Sequence, residues 1–128
     1  MLAIYVLSHN RPNFILDCVR SVEAASFGFS EVEFFVSDNS STDDVHTILN
    51  ESAVSATVLR RKRYMTGIEH INYCLQEAKL KKYTHVCIFH DDDVMMQRFV
   101  EKTLQAFQNA PSISAAALNI AGKKERSS

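Results

Sequence analysis

Residues 87–95 read CIFHDDDVM, so apolar side chains run directly into a histidine and three consecutive aspartates. Neighbouring carboxylates repel and raise one another's pKa, which is unfavourable unless water, a hydrogen-bond donor or a cation offsets it. The apolar part, Val86–Phe89, predicts a short buried strand, and the charges fall where it ends. In extended backbone, residues two apart point the same way, so an Asp-x-Asp spacing aims two carboxylates at one point. Hard oxygen donors so placed suit Mg2+ or Mn2+, which keep open positions for water and for phosphate oxygens. The plainer reading has the aspartates solvate a strand end and cap the next helix, and the cluster alone leaves both open.

Working outward, the same pattern of apolar run, polar loop and helix recurs. Leu2–Leu7 is a continuous apolar run ended by Ser-His-Asn-Arg-Pro, which suits a buried strand and a loop. Pro12 fits a first helical turn, where its missing N–H costs nothing. Phe14, Ile15, Cys18, Val19 and Val22 then make one apolar face. Val32–Val36 predicts a second strand, residues 37–41 a polar loop, and Thr42 the N-cap of a short helix to about Asn50. Asp43 and Asp44 in its first turn favour the helix dipole. Ala56–Leu59 reads as a weaker third strand. Ile68, Ile71, Leu75 and Ala78 space out a third helix, and Phe99, Val100, Thr103, Leu104 and Phe107 a fourth, with Ile113–Leu118 as a fifth strand.

Alternating strands and helices with connections of this length call for parallel pairing and right-handed crossovers, hence a three-layer α/β sandwich with a mostly parallel sheet. Ligands in such sheets bind beyond the carboxyl ends of the strands. Ser8–Arg11, Ser37–Ser41 and His90–Asp93 would all open onto that edge, three loops facing one crevice.

Composition bounds the rest. The 128 residues suit one domain, and a hydrophobic share of 46% is that of a globular chain. A formal net charge of -1 supplies no overall field for nucleic acid, so none is expected as a partner, and charge-driven binding must come from local clusters. Two stand out, Arg60-Arg61-Lys62-Arg63 and Asp91-Asp92-Asp93; the basic run reads first as a solvated turn and second as a neutraliser of diphosphate. Cys18, Cys74 and Cys87 sit at apolar positions without metal-type spacing and read as reduced core residues. No leader-like segment and no apolar run of roughly 20 residues is present, so a cytoplasmic location is expected.

Three stretches together resemble family 2 glycosyltransferases of the GT-A fold, the nucleotide-diphospho-sugar transferase type. YVLSHNRPNFILDCVRSV is similar to that family's opening strand, Thr-Tyr-Asn-Arg-Pro-type loop and first helix. FFVSDNSSTDD is similar to its Val-Val-Asp-Asn-Gly-Ser-Thr-Asp signature, and VCIFHDDDVM to its Asp-x-Asp region. The resemblance runs from Leu2 to about Asn119 and implies a nucleotide-sugar-binding half over residues 1–121, followed by a loose tail, 122–128. It implies that Asp38 accepts from the uracil imide or an equivalent base edge, against the alternative of a turn aspartate bonding its own loop. Ser8, His9, Asn10 and Arg11, with Asn39, fall in loops that contact the nucleotide sugar, His9 standing where an aromatic is frequent. Asp92 matches the direct metal ligand, with Asp91 near the ribose and diphosphate and His90 in place of the first aspartate; a shift of one residue exchanges these roles.

This sequence departs from the family pattern at Ser40, where Gly is usual, and at Tyr64–Thr66, where Asn-x-Gly is frequent. The activity so implied is metal-assisted transfer, with inversion, from a nucleotide diphosphate sugar such as a UDP-sugar. The acceptor hydroxyl would belong to a glycan, a lipid-linked molecule or a protein, as in polysaccharide biosynthesis. A divalent cation, Mn2+ or Mg2+, would be held by Asp92, Asp91 and His90. The general base is expected beyond Ser128, which would make this chain the donor-binding part of a longer, truncated enzyme, with peripheral membrane association left open. The alternative is a non-catalytic nucleotide-binding or scaffolding α/β domain. A phosphohydrolase or receiver-like reading wants an acid after the first strand, and Ser8-His9-Asn10 supplies none.

Overall fold

The computed structural model describes residues 1–109; the expected strand Ile113–Leu118, the boundary at 121 and the tail 122–128 lie outside them. Its elements run β1 (Leu2–Ser8), α1 (Pro12–Ser26), β2 (Val32–Asp38), α2 (Asp44–Glu51), β3 (Thr57–Arg60), α3 (Gly67–Leu80), β4 (His85–His90) and α4 (Phe99–Asn109). The strands form one sheet in the order β3-β2-β1-β4, and every pairing is parallel.

β1 lies between β2 and β4, with Ser8 opposite Asp38 and Leu7 opposite His90. All seven of its residues are buried. Side chains alternate across a strand, so Leu2, Ile4 and Val6 join one core and Ala3, Tyr5 and Leu7 the other. The first core packs against α1, α2 and α4 through Ile15, Val19, Val22, Val45, Leu49 and Val100. The second packs against α3 through Cys74 and Ala78. Helices on both faces of a parallel sheet make the three-layer sandwich that the sequence called for. Cys18, Cys74 and Cys87 are free thiols, the first two buried.

Local details differ from the sequence reading. β2 continues two residues past Val36, to Asp38, and β3 is shifted to Thr57–Arg60. The N-cap of α2 is Asp43, not Thr42, and makes no side-chain cap bond. α3 shows the largest difference. Its buried face is His70, Cys74 and Ala78, with Ile71 partly buried, whereas Ile68 is 75% exposed and Leu75 is exposed too. The apolar stripe misled because a histidine takes a core position, where Ser37 Oγ lies 2.7 Å from its Nε2. Thr66 and Glu69 start α3 with a reciprocal capping box.

Two substitutions check this packing by denaturant unfolding. Ile15→Ala, in the first core, is expected to cost about 2–5 kcal/mol. Ile68→Ser is expected to stay within about 0.5 kcal/mol of the parent, as exposed positions do.

Candidate functional site

The loops after β1, β2 and β4 are tied to one another by hydrogen bonds. The His9 backbone N–H donates to Asp91 Oδ2 at 3.1 Å, and His9 Nδ1 donates to the Asn39 carbonyl at 2.8 Å. Asn10, with φ of 53°, donates its backbone N–H to Ser40 Oγ, and its Oδ1 accepts from the Ser41 N–H and hydroxyl. Asn is among the residues that tolerate this left-handed conformation best. Arg11 spans the acidic pair: its Nε lies 3.4 Å from Asp91 Oδ1 and its Nη1 3.2 Å from Asp92 Oδ2. The three polar loops therefore meet at the carboxyl edge of the sheet.

The acidic residues are not equivalent. Asp91 is buried, and burial pushes its carboxyl above the usual range against the opposing His9 N–H and Arg11. The Asp92 side chain is half-exposed and reaches outward, where a ligand can meet it. His90 is exposed at the end of β4, and among the described residues no three His, Cys, Asp or Glu side chains form a ready-made metal cage. Ser8 is fully buried, so it meets no ligand directly; its hydroxyl lacks a well-formed hydrogen bond but lies close enough to Asp91 to favour the carboxylate.

Asp38 is fully buried at the end of β2. Its Oδ1 accepts from the Ser40 N–H at 3.0 Å, as a turn aspartate does, and its Oδ2 lies 3.4 Å from Arg60 Nη1. Ser40 takes the usual glycine position without a positive φ, its turn closed by that bond and by Asn10. Asn39 is buried with its amide engaged on both sides: Nδ2 donates to the Arg63 carbonyl and Oδ1 accepts from the Met65 N–H, each at 2.8 Å. The basic run is not a uniformly solvated turn. Arg60 binds Asp38, the Ser40 and Thr42 carbonyls and Asp43, and Arg61 turns toward α3; only Lys62 and Arg63 are exposed. Asn39, Ser40, Ser41, Arg60, Arg61, Lys62 and Tyr64 line a cavity of about 330 Å³.

The family model for glycosyl transferase family 2 matches residues 3–127. The chain belongs to that family. Crystal structures of S. aureus TarS have a similar fold. One superposes with a TM-score of 0.70 at 14% identity, covering 93% of this chain and 23% of that chain. TarS 1-349 in complex with UDP gives 0.70 at 15% identity over 92% and 38%, and in complex with UDP-GlcNAc 0.68 at 14% over 92% and 36%. This chain thus spans about a quarter to two fifths of the TarS chains it matches. The shared architecture is the GT-A type. No curated protein matches the sequence. Among the described residues no helix is long and apolar enough to cross a membrane.

Beneath the site of this family 2 chain lies a polar network that its sequence did not announce. Arg61 pairs with Glu77 through two bonds, of 3.0 and 3.1 Å, and donates from Nε to Ser37 Oγ at 2.9 Å. Tyr5, fully buried in β1, donates its hydroxyl to Glu77 Oε1 at 2.9 Å. Burial by itself would raise the Glu77 carboxyl, but the bonds from Arg61 and Tyr5 carry it below its ordinary value. The same Ser37 hydroxyl is hydrogen-bonded to His70 Nε2 at 2.7 Å. The Arg61 backbone N–H donates to the Asp38 carbonyl at 2.8 Å, so the network fixes where β3 releases the pocket wall. The Thr66-x-x-Glu69 spacing was readable in advance as a capping box; the Arg61–Glu77 pair had no local signal.

Burial, then repulsion from Arg61 and His9, lowers the His70 pKa from 6.5 to about 4, against the attraction of Asp38. The native state keeps this imidazole neutral, so the unfolded chain binds the extra proton between those values. Stability from this group is complete above about pH 6.5 and is lost as pH falls toward 4, a loss on the order of 3 kcal/mol. In unfolding titrations, His70→Gln should flatten the decline between pH 6.5 and 5.

Proposed function

We propose that this chain is the donor-binding part of an inverting glycosyltransferase that uses a nucleotide diphosphate sugar, a UDP-sugar by preference, with a divalent cation. The observation that carries the reading is the junction of loops at one sheet edge. There Asn39 lines a cavity of about 330 Å³, and His9 links Asn39 to Asp91 through its Nδ1 and its backbone N–H. The TarS chains that have this fold were crystallised with UDP and with UDP-GlcNAc, which supports the choice of donor.

The donor set fits Mg2+ or Mn2+. Such ions need only one or two protein carboxylates when phosphate oxygens and water complete their shell. Asp92 is the accessible ligand and Asp91 its neighbour. His90, exposed and outside any three-ligand group, stands as an outer contact. A cation held by Asp92 and Asp91 would supply Lewis-acid stabilisation of the charge on a leaving diphosphate. Arg11 pairs with both carboxylates; its pair with the half-exposed Asp92 contributes at most about 1 kcal/mol, and the buried Asp91 keeps the His9 N–H as a second donor. Arg11 can therefore turn its outer contact toward a phosphate once the ligand arrives. The Oδ2 of Asp38, held by the long contact with Arg60, is the oxygen available to a base N–H when Arg60 shifts. Ser8, Asn10 and Asn39 act by holding these groups in place. The general base and the contacts to the acceptor, whether glycan, lipid-linked or protein, are not assigned to any residue of this edge.

One observation favours a second reading. Arg11 already bridges both members of the acidic pair and offsets one of their charges, as suits a domain that binds nucleotide without metal and does not turn it over. Thermal unfolding separates the two. With millimolar UDP and Mn2+ the melting temperature should rise by several degrees, because a ligand selective for the native state stabilises it. EDTA, or Asp92→Ala, should remove the metal-dependent part. An equal rise in EDTA supports the second reading, and no rise under any condition contradicts both.

A further inference from the structure

Tyr64 combines an exposed ring with a backbone held on both sides. The residue is 67% exposed and lines the cavity beside Asn39 and Arg60. The residues flanking it are gripped by one buried side chain, since Asn39 bonds the Arg63 carbonyl and the Met65 N–H. Met65 is buried, which anchors the segment from below. An aromatic kept in place by the core packs its ring inward; here the backbone is fixed and the ring is presented to solvent.

Asn39 also orients a second ring. Its carbonyl accepts from His9 Nδ1, and the His9 ring meets Tyr64 edge-on, with centroids 5.7 Å apart and planes at 61°. That contact is too close for a third ring to slide between them. The exposed face of Tyr64 remains, buttressed at one side by the imidazole. A tyrosine offers this flat, amphipathic surface with few rotatable bonds to immobilise.

Position along the sheet edge identifies what the face would take. In the order β3-β2-β1-β4, Tyr64 follows β3, Asn39 β2, His9 β1 and the Asp91–Asp92 pair β4. Strands are spaced by about 4.8 Å, so the ends of β3 and β4 stand about 14 Å apart, and the Tyr64 ring reaches back along this edge to His9, whose backbone N–H bonds Asp91. An elongated ligand with a planar ring at one end and a metal-binding diphosphate at the other matches that layout.

We propose that Tyr64 is the stacking platform for the nucleobase of the donor, with Asn39 as the residue that positions it. The inference rests on the donor-binding reading above. Every base offers a π face to such a platform, so Tyr64 contributes affinity, while choice among bases falls to the polar groups of the cavity.

Calorimetric titration of the whole chain with UDP and, separately, with inorganic pyrophosphate, both with Mn2+, tests it on the parent, Tyr64→Phe and Tyr64→Ala. The phenylalanine variant should bind UDP within about twofold of the parent, since stacking needs the ring alone. The alanine variant should bind UDP about tenfold or more weakly and pyrophosphate unchanged. Parental UDP affinity in Tyr64→Ala overturns the proposal while leaving the nucleotide reading intact. So does an equal loss toward pyrophosphate, which marks a disturbed loop, or an equal loss in Tyr64→Phe, which marks a hydroxyl contact. Failure of the parent chain to bind UDP overturns the donor-binding reading and this proposal together.

Discussion

β1 has no solvent-facing side. Its residues alternate into two hydrophobic cores, and both of its backbone edges are taken by parallel neighbours. A strand so enclosed fixes its neighbours as well, because a shift of one residue would send each apolar side chain to the opposite core. In a parallel sheet the register then brings the ends of β1, β2 and β4 to one edge. Ser8 faces Asp38 and Leu7 faces His90, and the polar loops that follow can cross-link. The junction of His9, Asn10, Arg11, Asn39, Ser40 and Asp91 is a consequence of that register.

The polar groups of this edge divide into those that hold the site and those left for a ligand. Asn39, Ser40, Arg60, Arg61, Glu77 and the Oδ1 of Asp38 are engaged with other protein groups, many of them backbone. Low dielectric strengthens such bonds and makes an unpaired member costly, so the network stiffens the edge. Asp92, Lys62, Arg63, Tyr64 and the outer part of His9 remain open to solvent. An edge stiffened from within and presenting a few exposed groups of different chemistry has the preorganisation that a binding site needs. Membership of glycosyl transferase family 2 gives this arrangement its context.

Loop chemistry also explains how the chain departs from its family's pattern without losing the fold. Glycine is usual at position 40 because a tight turn there can demand a positive φ. Here the turn closes through the Asp38 side chain and through Asn10, which itself takes the left-handed conformation in the facing loop. The strain is carried by an asparagine, one of the residues that bear it most easily.

The sequence by itself determined the order of strands and helices, the parallel sandwich and the edge where the polar loops gather, because these follow from periodicity within short windows. It also marked Asp91 and Asp92, since three adjacent carboxylates are conspicuous at any level of structure. Only the tertiary structure decided that Arg60 and Arg61 are half-buried and paired with carboxylates, that His70 replaces an apolar residue in α3, and that Asn39 holds the residues flanking Tyr64. Each of these depends on partners far along the chain, separated by 24 positions for Asn39 and Arg63, 33 for Ser37 and His70 and 81 for Arg11 and Asp92. A long polar side chain looks solvated in sequence, because its burial is set by a counter-charge or hydrogen-bond partner that comes close only after the sheet has formed.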